Sequence, residues 1–133
     1  MANDLVAHVC TTIQTPEFKS KLAQALPPGV SVDRFTRVTL TAIQQNPAVV
    51  NGDRTSLYNA VTRCAQDGLL PDGKQAALVM FGNAVQYMPM IGGLRNIAAK
   101  HGIAMAIGVV HKADFFEYEL GIESRMVHKP APL

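Results

Sequence analysis

PDGKQAALVMFGNAVQYMPMIGGLRNIAAKHG, residues 71–102, is where the hydrophobic period of the chain changes, and its reading decides the fold. Pro71-Asp72-Gly73 is turn chemistry. Gln75 to Phe81 and Ala84 to Met90 are apolar-rich runs of strand length, joined by Gly82-Asn83, a two-residue connection of the kind that closes a tight hairpin. Pro89 cannot donate to a ladder, so it marks an edge or the end of a strand. Ile91 to His101 returns to helical spacing, with Ile91, Leu94, Ile97 and Ala98 on one side and Arg95, Asn96 and Lys100 on other faces. Gly102 stands just past its end.

Upstream, the pattern is helical throughout. Ala2 to Thr12 forms a short first helix, and Pro16 to Leu26 a second, with Thr15 as N-cap and Pro16 at the first helical position. Leu26-Pro-Pro-Gly29 stops it. Ser31 caps a third helix reaching Asn46, with Phe35, Val38, Leu40, Ala42 and Ile43 on its apolar side and Arg34 and Arg37 opposite. Thr55 or Ser56 caps a fourth, in which Leu57, Val61, Cys64 and Ala65 recur at helical spacing and Gly68 is the stop. Downstream, Ile103 to Lys112 alternates as a strand and Phe115 to Leu120 as another. A short run follows toward Val127, and His128 to Leu133 reads as a loop. The expected fold class is α+β, a helical N-terminal half followed by a β-β-α-β-β unit. With 133 residues the chain makes one domain, mainly helical over 1–70 and hairpin, helix and strands over 74–133.

Apolar residues make up 48% and charged residues 17%, enough to bury a core and too apolar for a disordered chain. No apolar run approaches a membrane span, and the N-terminus lacks the pattern of a signal peptide, so a cytoplasmic protein is expected. Cys10 and Cys64 have no neighbouring Cys, which leaves neither a metal knuckle nor a disulfide framework, and both read as core or boundary residues. No cofactor is expected.

Net charge is +2, and its distribution is uneven. Acids and bases balance over residues 1–73. Gly73 through Ala113 contains no Asp or Glu, while Lys74, Arg95, Lys100 and Lys112 give it +4; the remainder carries −2. An anion would find the central third. Lys74, Gln75, Asn83, Gln86, Arg95, Asn96, Lys100 and Lys112 supply cations and amide donors for phosphate and sugar oxygens, with Tyr87 as an aromatic platform. The plain alternative is an ordinary wet surface around a small sheet.

Other chemistry is poorly served. Gly68 to Lys74 has the spacing of a Walker A loop, but Gln75 stands where a hydroxyl should bind magnesium and Pro71 removes an amide. The loop also runs from helix to strand, the reverse of the phosphate-loop context, so a helix C-cap followed by a turn explains it. His8, His101, His111 and His128 lie in different elements without metal-ligand spacing. Glu117 and Glu119 share a strand face and read as solvated or ion-paired rather than as an acid/base pair.

LYNAVTRCAQDGLLPDGK from Leu57 to Lys74, the run from Ala76 to Gly102, DFFEYELG from Asp114 to Gly121 and HKP from His128 to Pro130 resemble, in order and spacing, the RecT family of phage and prophage single-strand annealing proteins. VDRFTRV and TAIQQNP in the first half resemble phage members as well. The resemblance implies ATP-independent binding of single-stranded DNA and annealing of complementary strands during homologous recombination, without nucleotide hydrolysis. It also implies a homo-oligomer, ring or helical filament, in a bacterial host, with a phage exonuclease and the host single-strand-binding protein as partners. By position it assigns DNA contacts to Lys74, Gln75, Gln86, Arg95 and Lys100, to which the charge reading adds Asn96 and Lys112; Ile91, Gly92, Gly93 and Leu94 would close the hairpin onto the helix. Family members continue past the HKP motif, so the chain is expected to be a fragment, a prophage remnant or a shortened paralogue. An unfinished sheet would then leave an exposed edge and an apolar patch that associate with another copy or a full-length relative. The alternative function is an interaction module that co-assembles with intact subunits without annealing.

Overall fold

The computed structural model describes residues 2–133. Four helices come first: α1 (Ala2–Ile13), α2 (Pro16–Ala25), α3 (Val32–Gln45) and, after a 3-10 turn over Pro47–Asn51, α4 (Arg54–Asp67). The starts of α2, α3 and α4 have local causes. Thr15 accepts from the Phe18 amide at the head of α2, Ser31 from Arg34 at the head of α3, and Asp53 from Ser56 at 2.8 Å at the head of α4. The cap of α4 is thus Asp53 rather than Thr55 or Ser56; its carboxylate is the stronger acceptor for an orphan amide. Gly68 ends α4 in the left-handed conformation, φ 70°, as a C-cap must.

The hairpin follows as expected, with β1 (Ala76–Phe81) antiparallel to β2 (Ala84–Pro89) and Phe81 opposite Ala84. Gly82 alone in the turn takes positive φ, 60°, which fits a type II′ connection. Ala76, Leu78 and Val85 face inward and are buried. The tip of the hairpin is tied to the start of α4: the Asp53 amide donates to the Asn83 carbonyl at 2.7 Å, and the Val85 amide donates to Ser56 Oγ at 2.8 Å. A Cβ on Gly52 would lie 2.9 Å from that same carbonyl, so the approach requires glycine.

One core runs through all of this. Val9 and Ile13, Leu22, Phe35 and Ile43, Val49 and Val50, and Leu57, Val61 and Cys64 pack with Leu69, Ala76, Leu78 and Val85. The inner face of α3 differs from its apolar pattern: Phe35, Thr36, Thr39 and Ile43 are buried, while Val38, Leu40 and Ala42 are half-buried. The threonines tolerate burial because their hydroxyls donate to the carbonyls one turn back, Thr36 to Val32 at 2.7 Å and Thr39 to Phe35 at 2.8 Å.

α5 (Ile91–Lys100) docks on the hairpin base through glycine. The Met90 amide donates to the Gln75 carbonyl at 2.9 Å, Gly92 faces the Lys74 carbonyl, and Gly93 is buried against Gln75 and Leu69. Ile91 and Leu94 do not share in this closure; they are 48% and 42% exposed, and Ile97 is the α5 apolar side chain that reaches the core.

Beyond α5 the expectation of a third strand fails. Residues 103–111 form no ladder, and Ile103, Met105, Ile107, Val109 and Val110 are all exposed. Alternation specifies which faces a strand would have, but a strand exists only where another backbone accepts its hydrogen bonds. A second hairpin closes the described chain, β3 (Phe115–Glu119) antiparallel to β4 (Arg125–Lys129), with Glu119 opposite Arg125. β4 includes His128 and Lys129, which the sequence places in a loop. Among the described residues the sheets are two separate two-stranded hairpins, and the architecture is α+β.

A methyl at Gly93 would meet the Gln75 carbonyl and Leu69 Cδ1, the latter at 2.7 Å. Gly93→Ala is expected to destabilise the fold by about 1–3 kcal/mol in urea titrations. Gly108→Ala, placed in open space, should change stability by less than about 0.5 kcal/mol.

Candidate nucleic-acid interface

The seven residues singled out from the sequence separate into three groups. Gln75, Asn96 and Lys100 line one groove of about 240 Å³ between α5, the end of α4 and the segment Gly29–Ser31, and Arg34 of α3 lines it from the far side. Asn96 and Lys100 are one turn apart on the same face of α5, which is why they enter together. No Asp or Glu lines this groove. Gln86 lies in a second groove, of about 390 Å³, beside Ser56, Asn59 and Arg63 of α4. Lys74, Arg95 and Lys112 are exposed and line neither. Arg95 is five residues from Lys100, about 140° around the helix, so one groove cannot take both side chains.

Arg34 and Arg63 join the candidate set from helices that the charge count left neutral. Balanced charge over residues 1–73 concealed them, because a sum along the chain does not distinguish an arginine that faces the basic third from one that faces an acid.

Gln75 has a structural task. Its Oε1 accepts the Leu70 amide at 3.1 Å, its own amide donates to Asp72 Oδ1 at 2.8 Å, and its carbonyl accepts Met90. Asp72 Oδ1 also takes the Lys74 amide at 2.9 Å. These are amides that a phosphate-binding loop would need free, and they are turned inward as an Asx turn. Tyr87 is similarly committed: its hydroxyl donates to Asp67 at 2.8 Å, joining β2 to α4, and burial first and that bond second push its ionisation upward. Cys64 donates to the Leu69 carbonyl at 3.1 Å, and burial, then Asp67 and Asp72, push its thiol up to about 12, which removes it as a nucleophile at neutral pH.

A polar cluster that the sequence did not announce sits at the second hairpin. Asp114 Oδ1 accepts the Ala131 amide at 2.9 Å, while Oδ2 accepts the His111 amide at 3.0 Å and bonds His128 Nε2 at 2.8 Å. The Asp114 side chain is 6% exposed. The Ala131 and His111 amides, then His128, hold its carboxyl down to about 2. Spacing of 14 and 17 residues across a hairpin carries no motif. Phe116 adds an edge contact to the His128 ring, with centroids 6.4 Å apart. Among the described residues no three His, Cys, Asp or Glu side chains converge as a metal site requires, and no helix is long and apolar enough to cross a membrane.

Gln75→Ala leaves the Leu70 amide without an acceptor in a residue only 7% exposed, so it should cost about 1–3 kcal/mol in denaturant unfolding. Asn96→Ala, at an exposed position, should cost under about 0.5 kcal/mol. A carboxyl depressed in the folded state stabilises where it is ionised; the Asp114 contribution is complete above the ordinary value of 3.8 and is lost as pH falls toward 2. Hydrogen exchange at the Ala131 amide, corrected for intrinsic rate, should lose protection over that interval, and Asp114→Asn should lack the transition.

The match of the RecT family covers residues 33–131, from the start of α3 through β4. Protein RecT of Escherichia coli strain K12 is 31% identical over 134 aligned positions, which take in 92% of this chain and 50% of that relative. The chain therefore spans about half the length of the curated relative it matches. No solved structure matches. With the family match extending from α3 over α4, both hairpins and α5, the chain belongs to the RecT family.

Proposed function

We propose that this protein binds single-stranded DNA through its phosphates and anneals complementary strands in homologous recombination, without nucleotide hydrolysis and as a homo-oligomer. Membership of the RecT family supports the reading. The observation that carries it is the groove in which Arg34 and Lys100 face each other with the amides of Gln75 and Asn96 and no carboxylate among the lining residues. Two cations across a groove neutralise a polyanion wherever it lies, and amide side chains donate to phosphate or sugar oxygens without selecting a base. A strand held by its backbone leaves base edges free to pair. Annealing then needs neither a chemical step nor an energy source, because duplex formation is itself downhill and the protein removes phosphate repulsion and aligns the strands. Lys74, Arg95 and Lys112, exposed outside the grooves, extend the positive field that draws DNA in. A phage exonuclease and the host single-strand-binding protein are the partners this reading assigns.

A second reading has its own support. Ile103, Ile107 and Val109 are 59%, 43% and 71% exposed, and the second hairpin stands outside the core. A patch of this kind marks an association surface. On this reading the chain co-assembles with other RecT-family subunits and contributes no annealing of its own.

Annealing of two complementary oligonucleotides without ATP, followed together with single-strand binding at low and physiological salt, separates the two. The first reading expects accelerated annealing and an affinity that falls with salt, with a log–log slope of about −0.7 per phosphate contacted. Lys100→Ala should make that slope shallower by roughly 0.7. Stable hetero-oligomers with no retention of DNA would establish the second reading instead.

A further inference from the structure

The groove lined by Arg34, Asn96 and Lys100 has a neighbour on the other side of Arg34. The same side chain lines a larger trough, of about 500 Å³, on the outer face of α3. Its floor is apolar: Val38 and Ala42, both half-buried on α3, Val38 also packing against the core, and Pro71 of the turn opposite. Arg37, one turn along from Arg34, stands on its rim, and Thr41 and Gln45 continue the same edge.

The charges around it are accounted for. Asp72 lines one end, with Oδ1 held by the Lys74 and Gln75 amides. Asp33, the acid nearest to Arg37 in the chain, is paired with Lys19 at 3.7 Å. Arg37 Nε donates to the Asp33 carbonyl at 3.4 Å, which anchors the side chain and leaves the two terminal nitrogens of its guanidinium for another acceptor. Neither Arg34 nor Arg37 has a carboxylate at ion-pair distance among the described residues.

We propose that this trough seats one unstacked nucleobase of the bound strand against Val38, Ala42 and Pro71, with the flanking phosphates on Arg34 and Arg37. The inference rests on the reading of the protein as a binder of single-stranded DNA and assigns it a second contact region, on α3. An apolar floor bordered by two guanidiniums one turn apart fits a flat ring whose successive phosphates run along α3, and an arginine plane is itself a stacking surface for a base. An acidic peptide would match the two cations, but the adjacency of the trough and the Lys100 groove, which share Arg34, favours a ligand that is an extended polyanion. Gln45 offers an amide donor and acceptor at one edge, and Thr41, whose hydroxyl donates to the Arg37 carbonyl, a further acceptor, so bases of different edge pattern are accommodated.

The test uses the full chain and single-stranded oligonucleotides carrying one 2-aminopurine, whose fluorescence reports unstacking. Wild type is expected to bind with a salt-dependent affinity and to raise the fluorescence. Arg37→Ala should weaken binding several-fold and make the salt slope shallower by about 0.7. Ala42→Met, which fills the floor without changing charge, should keep the slope and lose at least half of the fluorescence change. Thermal unfolding within a few degrees of wild type verifies that both variants fold, and Ala42→Ser with Arg37→Gln serves as the milder pair. Salt-dependent binding of wild type with an unchanged slope in Arg37→Ala, or unchanged fluorescence in Ala42→Met, overturns the trough assignment and leaves the function intact. Binding of hexaglutamate that depends on Arg37, with DNA binding indifferent to it, assigns the trough to an acidic protein segment and overturns the proposal. If wild type binds no single-stranded DNA, the functional reading fails and the trough assignment fails with it.

Discussion

The backbone and side chain of Gln75 form the junction where the end of α4, the first hairpin and α5 meet. Its side chain accepts the Leu70 amide, its amide closes the Asp72 turn, and its carbonyl accepts Met90 where α5 begins. Gly93 can then lie against that carbonyl, with no Cβ to keep helix and hairpin apart. Every element of the groove depends on this junction. It sets α5 against the end of α4, so that Asn96 and Lys100 face Arg34 across Gly29–Ser31. A residue selected as a ligand for phosphate is thus one whose hydrogen-bonding capacity is largely used to build the site, and its influence on DNA would be exerted through the position of Lys100.

Packing and chemistry divide the chain unequally. The core joins α1 to α4 with the first hairpin and reaches Ile97 of α5. The segment after α5 and the second hairpin lie outside it, and the latter is organised by polar contacts around Asp114. The first part can therefore present rigid cations on helices, where geometry is held by burial. The second presents exposed aliphatic and aromatic side chains, including Phe115, Tyr118 and Leu120, which is the composition of a surface that covers or is covered by another polypeptide.

The basic groove and the trough beside it are arranged by α3. Its inner face buries Phe35, Thr36, Thr39 and Ile43, which leaves Val38 and Ala42 half-buried beside Arg34 and Arg37. Hydrogen bonds from threonine hydroxyls to carbonyls one turn back make this possible, since they permit polar residues to be buried and apolar ones to stay at the surface. Hydrophobic pattern by itself places Phe35 and Ile43 correctly but would bury Val38, Leu40 and Ala42 in place of the two threonines.

Local chemistry was enough to establish the helix caps at Thr15 and Ser31, the stop at Gly68, the Gly82-Asn83 hairpin with its register, and α5, because caps, two-residue turns and 3.6-residue periodicity act over a few neighbouring residues. The motifs from Leu57 to Pro130 were also sufficient to place the chain in its family. The Asp53 cap of α4 is equally local, an acceptor three residues before the Ser56 amide, although the sequence also offered Thr55 and Ser56. Tertiary structure decided what depends on a distant partner: that residues 103–111 form no ladder, that Asp114 gathers His128 and Ala131, and that the Gln75 carbonyl receives Met90 where α5 begins. It also decided which cations share a groove. Arg34 and Lys100 are 66 positions apart in a chain whose charge profile separates them, and only the docking of α5 through Gly93 brings them to one surface.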